Sequence, residues 1–342
     1  LDGKKIVQPR FAFSYDIDDK TTLRGGVGRF GGGDPLVWVS NAYSLDGVTI
    51  LTYQTGDQDV IGNPDFTQVP QAALDGLGGA AAGGDVAAID PDFQIPSTWK
   101  FNLAVDRYFD LGALGDDWHV TLEAIWARTQ NAADWKELRR EQIGTAADGS
   151  AIYNQPSGYD ILLTNGEEAK QDIYAISFDK SWDSGLSLFG SYSYMDAEVA
   201  NEGTSSTASS NYNYAAHLDR SDRQRGTSVF EVKHQIKLGA TYKKAFWDDN
   251  FTTIGVFYSG RSGKPWSITM DEYMQFGGNR SVESGDGHLL YVPTAGETAI
   301  AGSAAAASAK VVFADAGVRD DFNALVKTYG LTRGQSADLQ SE

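Results

Sequence analysis

Gly26-Val27-Gly28-Arg29-Phe30-Gly31 has the spacing of a G-x-G-x-x-G element. That spacing holds a dinucleotide pyrophosphate only where a helix opens directly behind it and offers its free amides. Here Gly32, Gly33, Asp34 and Pro35 follow, and they cannot start such a helix. The stretch reads instead as a glycine-rich strand that lets a neighbouring backbone come close. Gly260-Arg261-Ser262-Gly263-Lys264-Pro265 loosely follows a phosphate loop, with Pro265 where the magnesium-binding hydroxyl belongs. It reads as a turn leaving a strand. The histidines His119, His217, His234 and His288 show no metal-ligand spacing, and two are assigned to polar-face strand positions. The acidic pairs Asp57/Asp59 and Asp90/Asp92 lack calcium-loop spacing and read as solvated chain. No Gly-x-Ser-x-Gly elbow occurs, and no pair among the 46 acidic residues stands out as a hydrolase dyad. Cysteine is absent, which removes thiolate metal sites and cysteine nucleophiles. The expectation is a non-enzyme with no catalytic residue, no cofactor and no metal.

The elements behind these residues explain the silence. The 342 residues carry 28 basic and 46 acidic side chains, a net charge of −18. Such a surface argues against nucleic acid as a partner, since phosphate binding needs basic groups. Mean hydropathy is −0.34, and no run approaches the ~18 apolar residues of a membrane helix. A membrane-spanning strand stays open, because only alternate residues of it face lipid.

Period-two alternation recurs along the chain. Phe11, Phe13, Tyr15 and Ile17 share a face, followed by a glycine-rich partner over 21–30. Trp99, Phe101, Leu103, Val105 and Phe109 alternate with Lys100, Asn102, Ala104 and Asp106. Val120, Leu122, Ala124 and Trp126 repeat the pattern, as do Tyr174, Ile176, Phe178 and Trp182. So do Leu186, Leu188, Tyr192 and Tyr194, then Phe230, Val232, Ile236, Leu238, Ala240 and Tyr242, and more weakly 252–258. Runs of about 9–11 residues cross a bilayer when tilted, whereas soluble strands average nearer ~5–6.

Short links at 18–20, 111–117, 183–185 and 243–250 alternate with long ones at 31–97, 129–171 and 197–229. A last long outer loop is expected over 271–342. This is the loop asymmetry of an outer-membrane barrel, with short periplasmic turns and long outer loops. The long links are expected to be exposed. Within the last stretch, 320–329 is expected to form a small amphipathic helix capped by Asp320 and ended by Gly330. Aromatics gather at both strand ends: Tyr15, Phe30, Trp99, Tyr108, Phe109, Trp118, Trp126, Trp182, Tyr192, Tyr194, Trp247 and Tyr258 are the expected membrane-interface residues. Arg29, Arg107 and Lys180 fall on the apolar parity near strand ends, where long cations snorkel. The fold expected is an all-β antiparallel transmembrane barrel, as a partial wall, in the bacterial outer membrane. Four clear hairpins are counted, with a further strand or two near Ser267 and Tyr291.

Several words of the sequence resemble TonB-dependent receptors of the Oar-like group. They are 9–16 with 23–30, Ile95-Pro96-Ser97-Thr98-Trp99 leading into 102–107, and 187–194. Lys233 to Leu238, Tyr258 to Ser267, Leu290 to Pro293 and Leu331 to Gln335 continue the match in order. The resemblance implies a 22-stranded barrel with an internal plug. It implies uptake energised by the TonB–ExbB–ExbD complex through an amino-terminal part. It also implies an unidentified transported ligand and a surround of outer-membrane lipid and lipopolysaccharide. The start LDGKKIVQPR has no basic or apolar leader region. No TonB box, plug or closing strand is read either, so the chain is expected to be part of a receptor. The alternative is a non-transporting barrel that serves as an adhesin or assembly partner, to which long acidic loops are equally suited.

Overall fold

The computed structural model describes residues 4–31, 35–49, 67–79, 85–145, 151–154, 158–248, 250–269, 288–337 and 339–340. Eight long strands form one antiparallel meander. They are β1 (Arg10–Asp18), β2 (Thr21–Gly31), β3 (Ser97–Phe109), β4 (Trp118–Gln130), β5 (Ala169–Ser181), β6 (Leu186–Val199), β7 (His234–Trp247) and β8 (Asn250–Arg261). Each pairs with the next in sequence. The longer ones have 13 or 14 residues. At ~3.3 Å per residue and a ~45° tilt, 13 residues rise about 30 Å, the thickness of a hydrocarbon core.

The register holds the alternation in phase across the whole wall. Tyr15 lies opposite Leu23, Leu23 opposite Val105, and Val105 opposite Leu122. Leu122 lies opposite Ile176, then Tyr192, Ile236 and Gly260 follow. One face is thus apolar over all eight strands, and the other carries the polar residues. A slip of one residue would turn an entire strand inside out, so the pattern fixes the register.

The short turns are tightly built. Asp18 accepts from the Lys20 amide at 2.9 Å, closing β1 to β2. Gly185 closes β5 to β6 with φ +89, and a Cβ there would lie 1.9 Å from the Lys243 carbonyl oxygen. Only glycine satisfies both demands. The fourth turn is shorter than the alternation suggests. Lys243 and Lys244 stay in the ladder opposite Thr253 and Thr252, and Lys243 lies over the Phe251 ring at 4.9 Å. At the other end, Phe230 and Val232 lie outside β7. Glu231 is buried and accepts from the Ala197 amide at 2.7 Å, which folds that segment over the head of β6.

The long connections leave the same end of the wall and pack into a cap with its own core. The strand Val86–Ile89 runs parallel to Asp160–Asn165, which pairs antiparallel with Ala133–Glu137. Helix α1 (Pro35–Ser44) and the short helix Ala208–Asn213 cover this sheet. Phe93, Trp135, Ile161, Leu163 and Tyr212 are buried together. Full burial of such a side chain contributes roughly 1.5–3 kcal/mol. Asn41 bonds the Ser206 carbonyl at 2.5 Å and the Ala208 amide at 3.2 Å, so the first and third connections are stitched to each other. This corrects the expectation of exposed loops: the apolar residues scattered through them meet only in three dimensions. The pair Asp90/Asp92 is a turn, with Asp90 accepting from Thr164 and the Asp92 amide. The pair Asp57/Asp59 lies outside the described residues.

Beyond β8 the chain forms small sheets. Trp266–Ser267 and Tyr291–Val292 are two-residue strands paired with Leu339–Gln340 and Gln335–Ser336, not wall strands as expected. The helix here is longer than expected, Ala316–Thr328, because Asp315 rather than Asp320 caps it through the Val318 amide. Gly330 follows its end with φ +62.

Candidate functional site

Two surfaces matter for function, the faces of the wall and a cleft in the cap. On the apolar face the aromatics cluster by level. Trp118 and Trp182 meet edge to face at 5.6 Å near the short turns, and both indole N–H groups donate to the Leu114 carbonyl. Trp126 and Tyr174 pair at 6.2 Å toward the cap. Trp99 stacks with Phe101 on the same face. Tyr15, Phe109, Tyr192, Tyr194 and Tyr258 share this face through their register partners Leu23, Trp118, Ile176, Tyr174 and Leu238. Trp247 stands at the fourth turn beside Phe246.

Three expected positions are corrected by the register. Phe30 stands on the polar face, between Arg10 at 4.5 Å and Lys100 at 5.7 Å. Tyr108 is also on the polar face, stacked on His119 at 4.9 Å. Each has the parity opposite to the apolar residues of its own strand, so nearness to a strand end does not by itself place a side chain toward lipid. His234, conversely, lies on the apolar face, where Tyr192 Oη and His234 Nδ1 are 2.7 Å apart.

The polar face carries a charge network. Arg24 Nε donates to Asp106 at 2.6 Å, and Thr121 donates to the same carboxylate at 2.6 Å. His119 bridges Asp179 at 2.8 Å and Asp106 at 3.7 Å. Gly26 and Gly28 of the G-x-G-x-x-G stretch lie within β2, paired on both sides, so they present no phosphate cradle.

The cleft lies at the head of β6. Its volume is about 740 Å³, and Asn201, Tyr214, His217, Gln224, Arg225 and Trp266 are among its lining residues. Its floor is rigid. Asn211 holds Ser205 through both amide and carbonyl, and Asn201 bonds Asp134 at 3.0 Å. Asp134 also receives buried Arg223 at 3.0 Å. Arg140, Arg220 and Arg223 surround the Tyr212 ring, each within 5.7 Å of its centroid. Burial lowers the Arg220 guanidinium to about 10, with Arg140 beside it adding to the effect. Burial raises the Tyr212 phenol and, aided by the Asp219 carboxylate, takes Tyr153 up to about 12. His217 is held well below its usual value by burial and then by Arg220, so it is neutral. Its Nδ1 bonds the Ala215 carbonyl at 2.8 Å, which leaves Nε2 to accept from Arg220 at 3.4 Å. His288 stands against it at 5.8 Å. The sequence gives no sign of this cleft, because its residues come from separate connections and follow no period.

Residues 2–293 match the family described as outer membrane beta barrel domain. The chain belongs to that family. Its place is therefore the bacterial outer membrane, with the apolar face of the wall toward lipid. None of the curated proteins matches it in sequence. The barrel chain is similar in structure to the outer membrane transporter YddB from Escherichia coli, with TM-score 0.43 and 10% identity over 78% of this chain and 30% of that one. It is also similar to the siderophore receptor PirA from Pseudomonas aeruginosa, with TM-score 0.33 and 12% identity over 75% of this chain and 34% of that one. The chain thus spans about a third of the length of either.

Proposed function

We propose that this chain is wall and outer cap of a TonB-dependent receptor of the Oar-like group. It captures a solute outside the cell and delivers it inward with energy from the inner-membrane proton gradient, through TonB–ExbB–ExbD. It is a carrier and not an enzyme. Lipid and lipopolysaccharide surround the apolar face, and both edge strands need partners wherever they cross hydrocarbon. The observation that carries the reading is the cap: long connections from one end of the wall fold into a common core beside a cleft of about 740 Å³. Loops used only for solvation need no shared core.

Whole cells making the intact protein test this. The reading expects accumulation of a medium solute that stops when a protonophore collapses the proton gradient, while surface binding persists. Surface binding with no gradient-dependent uptake of any solute would favour the adhesin reading and overturn this one.

A further inference from the structure

The charged groups around the cleft already have hydrogen-bond or ion-pair partners. Glu198 is held by Lys170 at 2.7 Å, and Arg225 by Glu167 at 3.5 Å. Glu202 accepts from the Val229 amide at 2.7 Å, and His217 is neutral. Among the described residues no group of three metal-ligating side chains occurs. An anionic ligand entering here would lose its hydration and find the cation of the lining, Arg225, already engaged by Glu167. A neutral ligand does not meet that cost.

What the cleft offers instead is uncharged hydrogen bonding and aromatic surface. Thr204, Ser210, Gln224 and Thr227 line it, and their side chains make no hydrogen bond among the described residues. Tyr214 is 67% exposed and Trp266 38% exposed, the latter braced edge to face on Tyr329 at 5.1 Å. An aromatic face in a polar cleft suits a ligand with flat apolar C–H faces and a rim of hydroxyls. The volume of about 740 Å³ lies within the ~300–1,000 Å³ of small-ligand clefts. We propose that the cleft binds a neutral oligosaccharide of a few pyranose units. Its ring faces stack on Tyr214 and Trp266, and its hydroxyls bond Gln224, Thr204, Ser210 and Thr227. This rests on the cap being the capture site of a receptor.

The test is titration of the intact protein in detergent with cellotetraose, maltotetraose and xylotetraose, against tetragalacturonate and ferric citrate as anionic probes. Saturable binding of at least one neutral tetrasaccharide is expected. W266A and Y214A are each expected to weaken it at least about tenfold, and Q224A to weaken it too. F189A, on the polar face of the wall, serves as control and is expected to leave affinity unchanged. Retained heat-modifiable migration shows that the wall of each variant is folded, and an unchanged limited-proteolysis pattern shows the same for the cap. Absence of neutral-sugar binding overturns the proposal, as does tighter binding of the anionic probes or affinity unchanged in folded W266A and Y214A. Gradient-dependent uptake without sugar binding would sink the sugar assignment alone, and sugar binding without uptake would sink the transport reading alone.

Discussion

Arg223 and Asp134 show how a few residues hold the cap. Both are buried, at 4% exposure each, and Asp134 also holds Asn201 at the cleft floor. Removing one partner of such a pair leaves a buried charge alone and costs about 3–5 kcal/mol. D134A is therefore expected to loosen the cap and leave the wall intact. Limited proteolysis within 133–165 reads the cap, and heat-modifiable migration reads the wall. His217 gives a second prediction. Its folded-state value lies well below the usual 6.5, so as pH falls through about 6.5 the unfolded chain takes up a proton that the folded chain refuses. Cap stability is then full above pH ~6.5 and falls toward acid by up to about 1.4 kcal/mol per pH unit. Cap unfolding followed from pH 8 to 5 should show this slope, and H217F should flatten it. Asp160, lowered by its Arg139 partner, loses its contribution only below the usual carboxylate range, outside that window. None of this was legible in the sequence. Asp134, His217 and Arg223 sit in three separate stretches, and only burial gives them their chemistry.

At the scale of the strand, the sequence was far more readable. Alternation locates seven of the eight wall strands, because one face of each meets an apolar environment and the other does not, and the glycine-rich β2 is read only as the partner of β1. The errors lie at the ends, where alternation no longer discriminates. Lys243 and Lys244 read as a turn yet continue β7, since Thr253 and Thr252 still pair with them. Phe230 reads as strand yet lies outside it, because Glu231 is drawn under the cap. Phe30 and Tyr108 read as interface aromatics by nearness to strand ends, although their parity is that of the polar face. The wall makes a direct prediction about its two faces. Leu122 lies mid-strand on the apolar face, 54% exposed in the absence of lipid, and Ser177 faces the other way on the adjacent strand. L122R should cost roughly 2–4 kcal/mol in a bilayer, and S177R much less. Urea unfolding in lipid vesicles measures both, and equal costs would contradict the assignment of faces.

The whole molecule joins a regular wall to an irregular cap, and the two were unequally legible for one reason. A wall is specified by local period, and a cap by contacts between segments as distant as Asn41 and Ser206. The length of the connections announced something at one end of the barrel but not that it folds. On the proposed function, this wall crosses the outer membrane with the cap outside and the short turns inside. Because the chain has no cysteine, single cysteines can test it cleanly on living cells. L138C in the cap, S184C in the third short turn and L122C on the apolar face would be treated with a membrane-impermeant maleimide. Labelling is expected at L138C on intact cells, at S184C only after the outer membrane is permeabilised, and not at L122C. Labelling of S184C on intact cells, or of L122C by the aqueous reagent in a folded barrel, would contradict it.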